Sequence, residues 1–381
     1  MNPSRRSVLM AGVALGGGLL VRVGFADEKT SFEPNAFIRV PSDGPIHIVL
    51  GHVEMGQGTL TGTAMLIAEE LEVDPRSLVV DFAPAAHAYD DSQSGIQLTG
   101  GSSSTPSDWE PLRQAGASAR EMLKEAAARR FGVPRHSLTA SDGRVLHADS
   151  GRSASYQELA ADAAKVPVET PALKTRNFKV IGQPLGRLDA VEKSNGSAVF
   201  GLDVVVPGAL VAVLLRCPVH RGTVKSFEAT AARAMPGVKH VVQVPAGVAV
   251  VAETYWHARQ AAQAVTVEWD EGAFASFSTA SLHAERLALI KQSTGKRVRS
   301  TGDADARFAK GGTLLEASYE LPFLAHATME PQNATAHVTA TRCEVWAPTQ
   351  GPGLAREQLS RLLGLPMNAV EVHQTDRKSV V

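Results

Sequence analysis

The sequence predicts an α+β fold, and three observations carry this prediction. Residues 59–71 place apolar side chains at helical spacing between two short β-like runs, 46–54 and 78–84. Residues 181–272 alternate short runs rich in β-branched residues with two short helical patterns. Residues 352–366 form an amphipathic helical pattern, and a further β-like run follows it.

The first segment, 32–180, contains a second helix after the strand–helix–strand unit. Thr105 is its predicted N-cap, Pro106 its first residue, and Asp108 completes a capping-box pattern. Gly132 predicts the end of this helix. The rest of the segment is predicted to hold a small hairpin with a short helix and then a proline-rich extended stretch, at 138–163 and 165–174.

The second segment, 181–272, is an α+β unit of short elements. Its strands are predicted at 198–206, 209–219, 238–244, 247–253 and 264–270, and its helices at 228–235 and 254–264. A polar linker with one helix follows at 273–312. The third segment, 313–375, is predicted to contain strands and a loop over 316–338, a strand at 343–350, the helix at 352–366 and a strand at 369–375.

Composition excludes some classes of function. The net charge is −1 and the sequence pI is about 6.9, so the chain lacks the basic excess of a nucleic-acid-binding surface. The chain has two cysteines, Cys217 and Cys343. An iron–sulfur cluster normally needs four thiolates, so this chain does not carry one by itself.

The N-terminus indicates export. Arg5 and Arg6 stand directly before an apolar run rich in glycine and alanine, and Gly24 and Ala26 suit cleavage after Ala26. This pattern is typical of a Tat-type signal over residues 1–26, which would lead to the periplasm. An ordinary Sec signal and an uncleaved anchor are the alternatives. We therefore leave residues 1–26 out of the fold prediction.

The stretch Gly56–Gln57–Gly58 lies between a strand and a helix. Glycine lets the backbone approach a ligand closely, and the N-terminus of the following helix would present free N–H groups to an anion. The residues therefore indicate a site for a polar, phosphorylated ligand, or a plain strand–helix turn. With Gly62 and Asp81 they also come near a dinucleotide-binding fingerprint, although the third glycine is displaced by one place.

The stretch 100–105, GGSSST, is a second concentration of hydrogen-bond donors before a helix. Its hydroxyl and N–H groups suit an anion, and a flexible loop is the alternative. His326 and Glu330 have the i, i+4 spacing of metal ligands, but Pro331 argues against a helix and no third ligand is apparent, so no metal site is predicted. Gln350, considered alone, is a surface amide.

Together these stretches resemble a known family. Residues 52–74 and 98–123 are similar to cofactor-binding segments in the large subunit of molybdenum hydroxylases, the xanthine dehydrogenase/aldehyde oxidase family. Residues 196–261 resemble the family's hammerhead domain, and residues 321–336 and 344–373 resemble the start of its first molybdopterin-binding domain. The segment order and the leader resemble those of the isoquinoline 1-oxidoreductase beta subunits, one branch of the family. The resemblance implies molybdopterin-binding α/β segments flanking a hammerhead-type domain.

The resemblance also implies residue roles. Gln57, with Gly56 and Gly58, would contact the phosphate or pterin end of a molybdopterin cytosine dinucleotide. Gln350 would hydrogen-bond an oxo ligand of the molybdenum. The remaining residues would hold the cofactor's phosphates or pterin: Gly101, Ser102, Ser103, Ser104 and Thr105.

The family's glycine-rich loop is expected after residue 375, where the sequence reads DRKSVV instead. We therefore expect 313–375 to be a truncated domain, 376–381 a non-native tail, and the catalytic glutamate to lie in a missing C-terminal half; a natural short protein is the alternative. The resemblance implies a small 2Fe–2S subunit, a periplasmic cytochrome or other electron acceptor, and an N-heterocycle or aldehyde as substrate. The competing hypotheses are a Tat-exported dinucleotide-dependent oxidoreductase and a non-catalytic exported scaffold or interaction protein.

Overall fold

The computed structural model describes residues 7–13, 19–25, 37–167, 170–292 and 295–376. The chain forms two compact units: the first joins Met1–Val204 to Ala327–Val381, and the second is Val205–His326. The twin arginines, the cleavage site after Ala26 and the tail residues 377–381 lie outside the described residues.

Numbered along the whole chain, the described strands are β1 (Ser7–Val13), β2 (Leu19–Phe25), β3 (Ile38–Val40), β4 (Ile46–Leu50), β5 (Leu78–Phe82), β6 (Leu138–Ser141), β7 (Arg144–His147), β8 (Arg152–Ser155), β9 (Val211–Leu215), β10 (Thr223–Glu228), β11 (Val238–Val244), β12 (Gly247–Ala252), β13 (Thr266–Asp270), β14 (Thr335–Val338), β15 (Cys343–Ala347) and β16 (Val370–Gln374). The helices are α1 (Thr59–Leu71), α2 (Ser104–Phe131), α3 (Tyr156–Ala163), α4 (Ala190–Asn195), α5 (Thr230–Arg233), α6 (Tyr255–Gln263), α7 (Thr279–Lys291), α8 (Ala304–Ala309) and α9 (Pro352–Leu363).

The first unit is built on a sheet of order β1-β2-β3-β4-β5. Its neighbours are antiparallel except β4 and β5, which run parallel and are connected through α1. A β6-β7-β8 meander and a β14-β15-β16 sheet, in which β15 and β16 are parallel, complete this unit. The turn between β4 and α1 and the turn before α2 both belong to the first unit. The sequence predicts the cofactor at these two turns.

The core of the first unit lies where α1 packs against α2. The helices approach so closely at Gly116 that a Cβ there would lie 2.6 Å from the carbonyl oxygen of Ile67. Ile67, Leu71 and Leu123 are fully buried in this contact region. Each such side chain contributes about 1.5–3 kcal/mol through removal of its surface from water.

Two buried carboxylates on α1, those of Glu69 and Glu70, form hydrogen bonds with other segments of the first unit. Glu70 accepts two hydrogen bonds from Arg113, at 2.7 and 3.1 Å. Glu69 accepts from Nζ of Lys174 at 2.8 Å and from the backbone N–H of Val180 at 2.7 Å. Burial raises the pKa of Glu69, but the Lys174 ammonium and the backbone donors outweigh it and hold that pKa below its ordinary value.

The second unit contains two small antiparallel sheets, β11-β12-β9 and β10-β13. Helices α5 and α6 supply small side chains to its core, as the buried Ala232 and Ala261 show, and these contact Val241, Val248 and Val250. Among the described residues of the chain, no helix combines the length and the apolar character needed to cross a membrane.

The predicted α+β class is confirmed, and α1 has the predicted bounds. The strand predicted at 198–206 is wrong, because Gly201–Asp203 forms a 3-10 turn. A Cβ on Gly201 would lie 2.4 Å from Oδ1 of Asn333, so this segment approaches another chain segment too closely to pair as a strand. Strand β10 was not predicted, and residues 273–312 contain α7 and α8 rather than one helix.

Two further features differ from the predictions. Residues 181–204, predicted in the second segment, belong to the first compact unit. Residues 1–26, which were left out of the fold prediction, contain β1 and β2, which pair with each other, and β2 also pairs with β3. The export signal itself stays a prediction.

Candidate functional site

The Met55–Gly58 turn is organised by a buried carboxylate. Glu54 is fully buried, and its Oε1 accepts from the backbone N–H groups of Gly56 at 2.7 Å and Gly58 at 3.1 Å. Its Oε2 accepts from the N–H of Leu60 at 2.9 Å, in the first turn of α1. Gly56 and Gly58 have φ of 102° and 87°, a region that favours glycine, so the turn needs both glycines.

The phosphate site predicted at the α1 N-terminus stays a prediction, and two of its N–H groups are already engaged within the protein. Those groups at Gly58 and Leu60 already donate to Glu54. A phosphate at this position would have to compete with the Glu54 carboxylate for these two donors. Sequence reasoning missed Glu54, although an acidic residue directly before Met-Gly-Gln-Gly was the available signal.

Gln57 is exposed and its amide closes the turn. Its Oε1 accepts from the N–H of Met55 at 2.6 Å, and its Nε2 donates to the carbonyl oxygen of Val53 at 2.9 Å. Each end of the amide keeps one further hydrogen-bonding position, for which the described residues supply no partner. The side chain is therefore held in one orientation and still offers one donor and one acceptor to a ligand.

The dinucleotide fingerprint does not hold. The β4–α1–β5 unit has the required parallel strands. However, Glu54 occupies the position at the helix N-terminus where a pyrophosphate would bind. Asp81, the expected ribose ligand, contacts Nδ1 of His47 at 2.8 Å, and Gly62 lies inside α1 with open space at its Cβ position.

The GGSSST stretch turns sharply into α2. Gly101 and Ser102 both have positive φ, 61° and 58°, and the helix begins at Ser104 with Ser103 as its N-cap. The predicted N-cap at Thr105 and its capping box are therefore wrong, and no side chain caps the helix.

This helix end has the geometry of an anion site. Ser103 donates through its hydroxyl to the carbonyl oxygen of Gly100 at 3.0 Å. In the part of the chain that the structure describes, the N–H groups of Ser104 and Thr105 donate no hydrogen bond. Ser102 and Thr105 are exposed, and Ser103 and Ser104 are half-buried. Unsatisfied N–H groups at the start of a long helix favour a negatively charged ligand.

Thr99 brings the three predicted stretches together. Its Oγ1 accepts from the N–H of Val53 at 2.8 Å, beside the Met55–Gly58 turn. Its N–H donates to the carbonyl oxygen of Gln350 at 2.8 Å, and its own carbonyl oxygen accepts from Nε2 of Gln350 at 2.7 Å. Thr99 directly precedes Gly100 and Gly101, so one residue connects the Met55–Gly58 turn (the glycine turn), the turn at residues 100–105 (the serine-rich turn) and Gln350. Sequence reasoning did not select Thr99.

The buried carboxylate of Asp91 forms hydrogen bonds next to the serine-rich turn. Asp91 accepts from the hydroxyl of Ser107 at 2.6 Å and from the N–H groups of Gln93 and Ser94. Burial raises the pKa of Asp91, but these hydrogen bonds outweigh it and lower the pKa to about 2. The carboxylate is therefore ionised at neutral pH.

His52 faces this carboxylate. Its Nε2 lies 3.6 Å from Oδ1 of Asp108 and 3.9 Å from Oδ2 of Asp91. Burial lowers the pKa of His52, but the two carboxylates together raise it above its ordinary value. The His52 imidazole thus compensates the negative charge of Asp91 and Asp108 near the start of α2.

Glu330 has a structural role in the first unit. Its Oε1 accepts from the N–H of Leu202 at 3.1 Å and from Nδ2 of Asn333 at 2.9 Å, outside any helix. A possible metal-ligand set of the described residues lies elsewhere, at Glu344, Glu371 and His373. Arg342 already contacts one oxygen of each of those carboxylates, at 3.0 and 2.9 Å. Cys217 and Cys343 are free thiols.

Comparisons with known proteins give the family. Models of the molybdopterin cofactor-binding domain match residues 6–206 and 290–377. The beta subunit of isoquinoline 1-oxidoreductase from Brevundimonas diminuta is 32% identical, over 89% of this chain and 49% of that protein. A nicotinate dehydrogenase subunit from Pseudomonas putida is 28% identical, over 88% of this chain and 29% of that protein. The chain thus spans about half the length, or less, of these curated relatives.

Among solved structures, quinoline 2-oxidoreductase from Pseudomonas putida 86 aligns with a TM-score of 0.37 and 19% identity, over 50% of this chain and 29% of that one. The family assignment therefore depends on the sequence matches. One matched domain covers more than half of the chain, and one relative exceeds 30% identity over most of it. The chain belongs to the molybdenum hydroxylase family, as a molybdopterin-binding large subunit.

Proposed function

We propose that the chain is the molybdopterin-binding part of the catalytic subunit of an exported molybdenum hydroxylase. The observation that carries this proposal is the convergence on Thr99, because it holds the glycine turn, the serine-rich turn and Gln350 within one hydrogen-bonded cluster. Three separate stretches that meet in this way can contact a single extended cofactor.

The residues present fit such a cofactor. The uncapped start of α2, with Gly101, Ser102, Ser103, Ser104 and Thr105, offers N–H and hydroxyl donors for the phosphates. The oriented amide of Gln57 fits the hydrogen-bonding edge of a pterin. Gln350 would approach the metal end of the cofactor. We infer the cytosine dinucleotide form, which requires an extended site with separate phosphate and pterin contacts.

When bound, the cofactor supplies the oxygen-transfer and electron-accepting chemistry. In the overall reaction a substrate C–H becomes C–OH, water provides the oxygen, and two protons and two electrons are released. The residues of this chain bind and orient the cofactor. A general base is also needed, and we place it on a glutamate outside these 381 residues.

The names of the relatives indicate the substrate class. The relatives are named for isoquinoline, nicotinate and, in Gluconacetobacter polyoxogenes, an aldehyde. We propose an N-heterocycle or an aldehyde as the substrate. With two cysteines the chain lacks the ligands of an iron–sulfur cluster, so the electrons would leave through a small 2Fe–2S subunit to a periplasmic cytochrome or another acceptor.

We propose export to the periplasm by the Tat pathway, with the leader either removed after Ala26 or retained as an anchor. Replacing both Arg5 and Arg6 by lysine keeps the charge and removes the twin-arginine signal. We expect this variant to accumulate in the cytoplasm while the parent is found in the periplasmic or membrane fraction. Equal export of both proteins would contradict the Tat proposal.

The activity is tested on protein expressed from its complete reading frame together with its small subunit. We expect oxidation of isoquinoline, quinoline or an aromatic aldehyde with an artificial electron acceptor, and incorporation of ¹⁸O from labelled water into the product. Protein from cells grown with tungstate in place of molybdate should be inactive. Label derived from O₂, or equal activity after growth on tungstate, would contradict the proposed function.

A further inference from the structure

The glycine turn contains its own anion. Three backbone N–H groups, those of Gly56, Gly58 and Leu60, converge on the Glu54 carboxylate within 3.1 Å. This is the arrangement by which a helix N-terminus binds a phosphate, but here the protein supplies the negative charge. The turn therefore has its charge satisfied before any ligand binds.

Arg187 holds this carboxylate and the turn at the same time. Its Nη2 donates to Oε1 of Glu54 at 3.0 Å, and its Nη1 donates to the carbonyl oxygen of Gly56 at 2.5 Å. Asp189 accepts from Nε and Nη2 of the same guanidinium, at 2.9 and 2.7 Å. A planar guanidinium with five donors can make these contacts together, whereas an ammonium cannot reproduce the geometry.

These contacts determine the position of the Gln57 side chain. Glu54 fixes the glycines on both sides of it, and the Gln57 amide then closes onto Met55 and Val53. Val53 in turn donates to Thr99. The orientation of the Gln57 amide therefore depends on a carboxylate that is fully buried.

We propose that Glu54, held by Arg187, is the positioning residue for Gln57: it replaces a ligand phosphate at the N-terminus of α1 and leaves the Gln57 amide as the turn's contact with the cofactor. This inference depends on the proposed function, because it assumes that Gln57 contacts the cofactor. It assigns the cofactor's phosphates to the serine-rich turn, because the N–H groups of Gly58 and Leu60 already donate to Glu54.

The test compares two substitutions at the ends of the same helix. Glu54→Gln keeps the shape of the side chain but presents an NH₂ group to N–H donors. Glu72→Gln also removes one negative charge, at the C-terminal end of α1, where Glu72 contacts Lys174 and Lys179. We expect Glu54→Gln to lose about tenfold or more of its bound molybdenum, and Glu72→Gln to retain the parental content.

Hydrogen exchange tests the geometry without the cofactor. In the cofactor-free protein, peptides covering residues 53–62 should exchange faster in Glu54→Gln than in the parent and in Glu72→Gln. Exchange of the α2 peptides, 104–131, should be unchanged. Faster exchange throughout the chain would show a general folding role and would overturn the positioning assignment.

Rescue by a small carboxylate separates positioning from folding. Glu54→Ala leaves the three N–H groups without an acceptor, and formate has the size and charge to replace the missing group. We expect sodium formate present during cofactor loading to restore molybdenum content in Glu54→Ala, and sodium chloride at equal ionic strength not to. A Glu54→Ala protein that folds but gains no molybdenum when formate is added would overturn the proposal.

The two proposals fail differently. A parent protein that contains no molybdenum would contradict the proposed function, while the exchange difference at 53–62 would still report whether Glu54 fixes the turn. A molybdenum-loaded parent with fully loaded Glu54→Gln would leave the function intact and would contradict the role of Glu54.

Discussion

Thr99 and Gln350, 251 positions apart, exchange two hydrogen bonds, from the Thr99 N–H to the Gln350 carbonyl oxygen at 2.8 Å and from the Gln350 amide nitrogen to the Thr99 carbonyl oxygen at 2.7 Å. The pair joins the two stretches of the chain that the family models match separately. The candidate site is therefore assembled within the first unit, from segments on either side of the second unit in the sequence.

The Gln350 amide should matter more for the cofactor than for stability. Gln350→Leu removes the Nε2 bond to Thr99 and should lower the free energy of unfolding by about 1 kcal/mol. Gln114→Leu is a matched control, because its Nε2 donates to the carbonyl oxygen of Pro171 at 3.0 Å, within the same unit. Urea unfolding should show similar losses for both variants, and only Gln350→Leu should lose molybdenum. Equal cofactor content in the two variants would contradict the role of Gln350.

Thr99 supplies the only acceptor that the described residues provide for the buried Val53 N–H. Thr99→Val has nearly the same shape but leaves that N–H without a partner, and it should cost about 1–3 kcal/mol in the free energy of unfolding. Thr99→Ser retains the hydroxyl and should cost clearly less. Chemical denaturation of the three proteins measures this, and equal stability of the serine and valine variants would refute the hydrogen bond's importance.

Replacing Gly58 or Gly62, four positions apart, by alanine should change the stability of the protein in opposite directions. Gly58 has φ of 87°, so Gly58→Ala should destabilise the protein by about 1–2 kcal/mol through backbone strain. Gly62 lies inside α1 with open space around its Cβ position, so Gly62→Ala should stabilise it by about 0.5–1 kcal/mol. Thermal unfolding compares them. A destabilised Gly62→Ala would indicate that another group packs closely against Gly62 and would contradict the open space found there.

Asp91 predicts a specific loss of stability in acid. Its pKa in the folded protein is about 2, below the ordinary value of 3.8, so folding favours the ionised form. Its contribution, about 2 kcal/mol, is complete above the ordinary pKa and disappears as the pH falls through the folded value. Asp91→Asn should unfold more easily at neutral pH and show a weaker dependence of stability on pH between about 4 and 2. An unchanged pH dependence in this variant would contradict the ionised assignment.

Local sequence signals predicted what local interactions determine. Helix α1 begins and ends where the apolar period of 59–71 indicates, and Gly132 ends α2 with the expected positive φ. The start of α2 was misplaced because Pro106 is tolerated anywhere in the first turn, where N–H groups need no helical acceptor. Proline thus indicates a helix start to within a turn.

The parts of the site that the sequence did not predict depend on distant partners. Glu54 is buried because Arg187, 133 positions later, compensates it, and charged residues are mostly exposed unless paired. Thr99 belongs to the candidate site only because it forms hydrogen bonds with both Val53 and Gln350. The contacts of Glu54 and Thr99 cannot be predicted from residue spacing or propensity, since they depend on the tertiary fold.

The most direct test of the central claim is the metal and nucleotide content of protein expressed from the complete reading frame. We predict molybdenum and acid-released cytidine monophosphate in equal amounts, both strongly reduced when Ser103 and Ser104 are replaced by proline and aspartate, which obstruct the start of α2. Protein that contains a nicotinamide nucleotide and no molybdenum would contradict the account.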